Sequence, residues 1–524
     1  IHFCVGIVDN LIIHMESYFE EMEVDYINKF LTGLTINKTS KLEMSYFDEK
    51  KNYDIIQKVN TESTQRLINI LSMTMNFVRN FVTLVGIVSV LLLLNGWIII
   101  FCLMISVPSA LISYKMSKKQ YKIFNSRIED LRKITEIKNI LVNYENVKEL
   151  KIYRLGKFFE EYATKLCDKF ICQNKIVKKK YVMDVNLSET LQIAVLYLLK
   201  FYVVIQVVYK KMSIGDLSLF INAIDNFHNC ISSMFKSIIK LYENGLYIKD
   251  LNDFLRLPVQ KSKTGLKFNN KFKIIEFSHV YFKYGPNEPY ILEDINLTIE
   301  RGKSYAFVGI NGAGKTTIVK LLLNLYRPSS GRITIDGVDI NKFAVEEYWK
   351  NIGAVFQEFI QYPFDVNHNI GFGCVEKGFD SECIKDAAKK SGAYEFVSKL
   401  KNGFETNLKK GWEESTQLSL GQWQKIAISR VFMEDFPILV LDEPTASVDA
   451  RTEYELYNKI KMLINDRTCI LISHRLSTVK LVNTIFVLEN HCLVEKGTHE
   501  ELMKKNKVYA SLYNMQAEAY EDNL

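Results

Sequence analysis

The chain has 524 residues, of which 48% are hydrophobic, and a formal net charge of +7. That length accommodates two or three domains with ample core. The basic excess sits in clusters beside apolar segments instead of along one face, which argues against a nucleic-acid-binding protein. Nine scattered cysteines, odd in number and without CxxC or Cys/His ligand spacing, support neither a disulfide framework nor a zinc site.

Residues 1 to about 256 read as helices. Ile1 to Met15 is apolar but short and runs into Glu16, Glu20, Glu21, Glu23 and Asp25, as the latter part of a long helix leaving a membrane would. A polar interruption, Tyr46 to Asp54, precedes a helix ending near Leu94. From Phe81 to Ser113 no residue is charged, and a membrane-crossing helix needs about 20 apolar residues. The run therefore divides into two spans around a turn at Asn95-Gly96-Trp97, the second occupying roughly 97–114 with Pro108 as a possible kink. A polar helical region continues to about Asp184, followed by apolar stretches from Leu191 to Tyr209 and from Ile214 to about Leu241. Lys115, Lys118, Lys119 and Lys122, with Lys175, Lys178, Lys179 and Lys180, flank these segments as the positive-inside tendency expects of a cytoplasmic loop. Lys210 and Lys211 run against it.

Residues 257–272 form a polar, Lys-rich joint. Beyond it, to residue 524, short β-rich runs alternate with helical patterns: Val280 to Tyr284, Ala306 to Val308, Ile333 to Ile335, Ile438 to Leu441 and Cys469 to Ile472 read as strands. The expected architecture is an all-α transmembrane domain (1–256) followed by an α/β P-loop domain.

Gly309-Ile310-Asn311-Gly312-Ala313-Gly314-Lys315-Thr316 lies between the strand Ala306 to Val308 and a helix from Thr317 to Asn324. Its glycines let backbone N–H groups turn onto phosphate oxygens, and the helix N-terminus adds its partial positive charge. Gly309, Asn311, Gly312, Ala313, Gly314 and Thr317 are candidate nucleotide-binding residues. Lys315 would bridge the β- and γ-phosphates, and Thr316 would bind Mg²⁺. Asp442, ending the apolar run Ile438 to Leu441, is a second Mg²⁺ ligand in the Walker B arrangement, and adjacent Glu443 the general base or water polariser.

With these residues in place, the second half resembles an ATP-binding-cassette (ABC) ATPase over about 273–520. The resemblance implies that Tyr284 stacks on adenine. It also implies that Gln357 senses Mg²⁺ and the attacking water, that Asp449 in Ser447-Val448-Asp449 belongs to the D-loop, and that His474 is the switch histidine on the γ-phosphate. Leu418-Ser419-Leu420-Gly421-Gln422 matches the signature motif, so Ser419, Gly421 and Gln422 would close over ATP held by an opposite subunit. Leu420 replaces the usual first glycine.

The N-terminal half resembles the membrane domain of exporters with six helices per subunit. Tyr46-Phe47-Asp48 and Lys148 to Tyr153 resemble the stretches around the two coupling helices, and Gly215-Asp216-Leu217 the turn into the sixth helix. On this mapping the chain starts within the second helix. Lys200, Asp225 and His228 are ionisable groups at membrane depth, which either line a substrate pathway beside Asn222, Asn226 and Asn229 or, for Lys200, snorkel or pair with Asp225. The resemblance implies a multi-pass half-transporter in the cell membrane, with ATP and Mg²⁺ as cofactors, membrane lipid around it, a second copy as partner and no nucleic acid. It is closest in kind to bacterial exporters of peptides of the lantibiotic type, with lipid or drug export as the alternative. A soluble ABC ATPase is opposed by the uncharged run, and a catalytically silent partner subunit by Glu443 and His474.

Overall fold

The computed structural model describes residues 2–94, 96–209, 213–260, 265–409, 414–443, 459, 461–462, 467–473 and 476–521. The chain divides into two compact units, one of Ile1–Ser40 with Glu49–Leu257 and one of Lys41–Asp48 with Pro258–Leu524. Residues Lys41–Asp48 thus belong with the second unit, although the sequence around them is that of the first.

The first unit is all helical: α1 (His2–Thr39), α3 (Lys50–Leu94), α4 (Gly96–Val142), the short α5 (Tyr144–Ile152), α6 (Gly156–Val208) and α7 (Ile214–Arg256), while α2 (Ser45–Asp48) falls in the second unit. Three helices carry a stretch long and apolar enough to cross a membrane among the described residues: Gln65–Leu93 of α3, and α4 and α6. The long helices α1 and α7 do not qualify. Glu16, Glu20, Glu21, Glu23 and Asp25 interrupt the one, and Asn222, Asp225, Asn226, His228 and Asn229 make the other too polar. Helix α3 stops at Leu94 and α4 starts at Gly96, while Asn95, Lys210 and Lys211 lie outside the described residues. Pro108 sits within α4. Gly215 to Leu217 forms the first turn of α7. Ser213 caps that helix: its Oγ accepts from the Asp216 N–H, and Asp216 accepts from the Ser213 N–H.

Leu91, Ile98, Cys102, Leu196, Val203, Ile224 and Phe227 form the core of this unit. Beside it Lys200 of α6 meets Asp225 of α7, Nζ lying 2.7 Å from Oδ1 and 2.8 Å from Oδ2. Of the alternatives for Lys200, pairing is the one the structure adopts. Asn222, Asn226 and Asn229 lie exposed on α7.

The second unit contains two sheets. One is antiparallel, in the order β2-β1-β4-β5, with β1 (Ile274–Phe282), β2 (Leu292–Glu300), β4 (Ser330–Ile335) and β5 (Val338–Asp339). The other has the order β10-β9-β3-β8-β7-β6: β3 (Ser304–Gly309), β6 (Ile352–Val355), β7 (Ile438–Asp442), β8 (Thr468–Ile472) and β9 (Thr484–Glu489) run parallel, and β10 (Cys492–Gly497) is antiparallel to β9. Strand β1 starts six residues earlier than Val280 and ends before Tyr284, which stands just past it.

The parallel strands are apolar on both faces because both faces are covered. Tyr305, Phe307, Ile438, Val440, Ile470 and Ile472 pack toward the antiparallel sheet and α8 (Lys315–Leu322). The alternate residues Ala306, Leu439, Leu441, Cys469, Leu471 and Val487 pack with Val479, Leu502 and Tyr509. A third, helical cluster is built on Val366, Ile370, Ile384, Val397, Trp423 and Ile426.

Phe307 is fully buried and stacks on Phe486 at 5.3 Å. Phe307→Ala in the full-length chain is expected to destabilise this unit by about 3–5 kcal/mol. Val494→Ala, at a residue 45% exposed, should stay within about 0.5 kcal/mol. Denaturation in detergent followed by circular dichroism checks both.

Candidate nucleotide site

Three strand ends lie side by side at the carboxyl edge of the parallel sheet, because β3 pairs with β8, and β8 with β7. The loop after β3 turns into α8 through Gly314, whose φ of +98° excludes other residues. A Cβ there would also stand 2.6 Å from Leu292 Cδ2 and 2.8 Å from the Ile291 oxygen. The first-turn N–H groups of α8 are thereby left facing the loop. Ala313, Gly314, Lys315 and Thr317 are buried, whereas Asn311, Gly312 and Thr316 are exposed. Lys315 folds back so that Nζ donates to the carbonyl oxygens of Gly309 (2.8 Å) and Ile310 (2.9 Å). Burial pushes its ammonium below the ordinary lysine range, against the opposing pull of Glu443 and Asp442.

Asp442 ends β7 and is 3% exposed. Its Oδ1 is buried without a hydrogen-bond partner. Burial first, and the Glu443 charge second, push its carboxyl up to about 6. A buried carboxylate oxygen with an unused lone pair, together with the exposed Thr316 hydroxyl at a helix start, suits a hard divalent cation such as Mg²⁺.

Glu443 leaves the strand with φ +47°, a left-handed conformation costing a non-glycine residue about 1–2 kcal/mol. Its N–H is anchored on the Ile472 oxygen of β8 at 2.9 Å. The turn aims the carboxylate sideways, where Oε2 accepts from Gln357 Nε2 at 2.8 Å. Two residues 86 positions apart in sequence are so joined at one point.

Tyr284 packs edge-on to Phe282 and Tyr326 (5.0 and 5.3 Å), and its hydroxyl lies 3.3 Å from Thr317 Oγ1. Lys320, one turn into α8, donates to that hydroxyl at 3.2 Å and lies over both tyrosine rings. Tyr326 in turn donates to Asp48 of α2 at 2.6 Å, and Arg327 pairs with Glu43 at 3.0 Å. Sequence reasoning passed over Lys320 and Tyr326. For Lys320 a signal existed, since it shares a helical face with Thr316 and Thr317; for Tyr326 none did.

The signature residues start another helix, Leu420–Arg430, which packs in the third cluster through Trp423 and Ile426. Ser419 and Gln422 cap it reciprocally: the Ser419 N–H donates to Gln422 Oε1 (2.9 Å) and the Gln422 N–H to Ser419 Oγ (3.3 Å). The Ser419 N–H is thus engaged with its own cap. Leu420 is 49% exposed and points away from the core. Lys148 to Ile152 forms part of α5, and Ile152 and the following Tyr153 are 75% and 66% exposed. Asp449 and His474 lie outside the described residues.

Fold and site together define a P-loop nucleotide-binding cassette in a chain with a helical, membrane-spanning unit. The ABC transporter family model matches residues 292–446. The nisin transport ATP-binding protein NisT of Lactococcus lactis subsp. lactis is 30% identical over 538 residues, covering 100% of this chain and 87% of the relative. The subtilin transport ATP-binding protein SpaT of Bacillus subtilis is 29% identical, covering 95% and 83%. An ATP-dependent lipid A-core flippase of Methylococcus capsulatus is 27% identical, covering 91% and 78%. The structure of a bacterial Atm1-family ABC exporter with ATP bound shares the fold, with a TM-score of 0.81 and 21% identity over 95% of this chain and 86% of the other. The chain belongs to the ABC transporter family, as an exporter whose membrane domain is fused to its ATP-binding cassette.

Two outcomes are expected at this site. Gly314→Ala should weaken ATP-analogue binding by about tenfold or more, measured by equilibrium binding to the full-length chain, because the left-handed turn and its packing are both lost. Asp442 shifts from an ordinary 3.8 to about 6 in the fold, so the unfolded chain releases this proton first as pH rises. Its penalty is absent below about pH 4 and complete above about pH 6, where it amounts to about 3 kcal/mol. Without magnesium, Asp442→Asn should therefore stabilise the chain increasingly from pH 4 to pH 6 relative to the parent. A pH-independent difference in thermal midpoint would contradict the assignment.

Proposed function

We propose that the chain hydrolyses ATP in a sandwich formed with a second copy of itself. The cycle drives export of a peptide of the lantibiotic kind from the cytoplasm across the cell membrane. The observation that supports the catalytic part is the Gln357–Glu443 hydrogen bond at the strand end where Asp442 presents an unpartnered buried oxygen. Glu443 is placed to accept a proton from, or orient, the water attacking the γ-phosphate, and Gln357 fixes the carboxylate for that role. Lys315 exchanges its two loop carbonyls for β- and γ-phosphate oxygens, a replacement that costs little because the side chain is already buried. Mg²⁺, held by Thr316 and Asp442 with Gln357 beside it, would neutralise charge on the phosphates. Tyr284, already fixed by Lys320 and Tyr326, offers a ring face to adenine.

In the homodimer, Ser419, Gly421 and Gln422 of one copy close over the phosphates lodged on Lys315 of the other, and Asp449 and His474 complete each site. Closure favours the state that binds ATP more tightly, and hydrolysis releases it. The capping box lends rigidity to the helix start that must approach the partner's nucleotide. Leu420 is compatible with this role, since its side chain makes no demand on the core. The cassette faces the cytoplasm. The peptide substrate rests on the similarity to the nisin and subtilin transport proteins. The flippase similarity keeps lipid as the second reading.

Reconstituted in lipid discs, Glu443→Gln should lower turnover by about 10²-fold or more while leaving ATP affinity near that of the parent. Turnover close to the parent's would remove Glu443 from the role. A precursor peptide of the nisin or subtilin type should stimulate the parent's ATPase; stimulation by lipid A and not by the peptide would move the substrate to the second reading.

A further inference from the structure

The lysines of α4 and α6 do more than bias the charge of a loop. Lys115, Lys118, Lys119 and Lys122 are all exposed and spaced i, i+3, i+4, i+7, which places them on one face of α4. Lys175, Lys178 and Lys179 repeat the spacing on α6, with Lys180 beside them, again all exposed. The buried residues between them, Ser117 and Val177 (7% and 8% exposed), mark the opposite, inward faces.

Cross-helix contacts set the two stripes level. Ser113 Oγ meets Tyr181 Oη at 3.3 Å above them, and Arg127 Nε donates to Gln173 Oε1 at 2.8 Å below. Both lysine sets fall between these contacts. Neither intervening stretch contains an acidic residue, and among the described residues none of the eight lysines makes an ion pair. Across the bundle, Glu243 of α7 accepts from Ser117 (3.4 Å) and Lys240 (3.3 Å).

The uncharged run ends at Ser113, two residues before Lys115. From Lys115 to Lys122 is about 10 Å of helix at 1.5 Å per residue, comparable with a headgroup layer of roughly 5–7 Å plus the reach of a lysine side chain. The positive-inside tendency accounts for an excess of lysines, but it requires neither a shared face nor a shared level nor freedom from acidic partners. On α4 the unpaired cations stand at the edge of the apolar span, and on α6 they lie at the same level, with Asp184 and Glu189 between them and the apolar stretch from Leu191. Such a surface is complementary to the phosphates of the bilayer itself.

We propose that this lysine band is a binding site for anionic phospholipid headgroups, which it selects from the surrounding membrane. The inference rests on α4 and α6 crossing the membrane, and not on ATP turnover. The test uses the full-length chain reconstituted in phosphatidylcholine bilayers doped with spin-labelled phosphatidylglycerol or spin-labelled phosphatidylcholine. The fraction of each label immobilised at the protein is read by electron paramagnetic resonance. Phosphatidylglycerol should be preferred by about threefold or more at low salt, and the preference should shrink in about 0.5 M salt. The combined variant K118Q, K119Q, K178Q and K179Q should lose it, while the same four positions changed to arginine should keep it. An equal fraction of both labels on the parent, or a preference retained by the glutamine variant, would overturn the proposal. Displacement of the labelled lipid by millimolar glycerol 1-phosphate would overturn the lipid as source and identify a soluble-phosphate site. Lipid selection is read whether or not the chain hydrolyses ATP, so an inactive protein with intact selection would count against transport and leave the band standing.

Discussion

Everything in the nucleotide site depends on three parallel strands lying side by side. Because β3 pairs with β8, and β8 with β7, in a common direction, the phosphate loop and the Asp442–Glu443 pair emerge at one edge, 127 positions apart in sequence though Lys315 and Asp442 are. Parallel pairing demands crossovers on both faces, and the alternation of Phe307 with Ala306, and of Val440 with Leu441, between two separate cores is how the sequence meets that demand.

The edge so assembled is held at a local energetic disadvantage. Lys315 is buried and lowered in pKa, Asp442 is buried and raised, and Glu443 occupies a left-handed conformation. Each would be more comfortable elsewhere. On the proposed function, a nucleotide with its cation would supply the missing partners: phosphate oxygens for the ammonium and the helix start, a cation for the stranded carboxylate oxygen. The two sheets and α8 hold the frame so that these costs do not unfold it, and the differential relief on binding is the quantity available to drive a conformational cycle. Lys320, Tyr284 and Tyr326 lead from α8 to Asp48 in α2, so the segment Lys41–Asp48 is tied to the cassette by side chains and continues by covalent chain into α3.

Much of this was legible in the sequence because it is local. A glycine-rich loop between a strand and a helix, and an apolar strand ending in two acids, each carry their chemistry within a few residues. The meeting of Gln357 with Glu443 was legible only through family resemblance, since no spacing rule joins positions so far apart. The helices of the first unit do run far past their apolar stretches as expected, α4 to Val142 and α7 to Arg256, because polar helix needs only a neighbour to pack on and not a membrane. Tertiary effects account for the departures. The Ser419 N–H turned out to serve the helix cap, a competition that the S-x-x-Q spacing does announce. The pairing of Lys200 with Asp225, and the common level of the two lysine stripes, emerge only when α6 lies against its neighbours.

The most direct test of the central claim, that two copies share their nucleotides, is a proximity measurement between the phosphate loop of one and the signature helix of the other. Asn311→Cys and Leu420→Cys, both at exposed positions, would be placed on separate chains in a background lacking the native cysteines, and treated with a short bifunctional thiol reagent in lipid discs. A covalent dimer should form with ATP and magnesium and fail to form without them. Cross-linking that ignores nucleotide, or none under any condition, would contradict it.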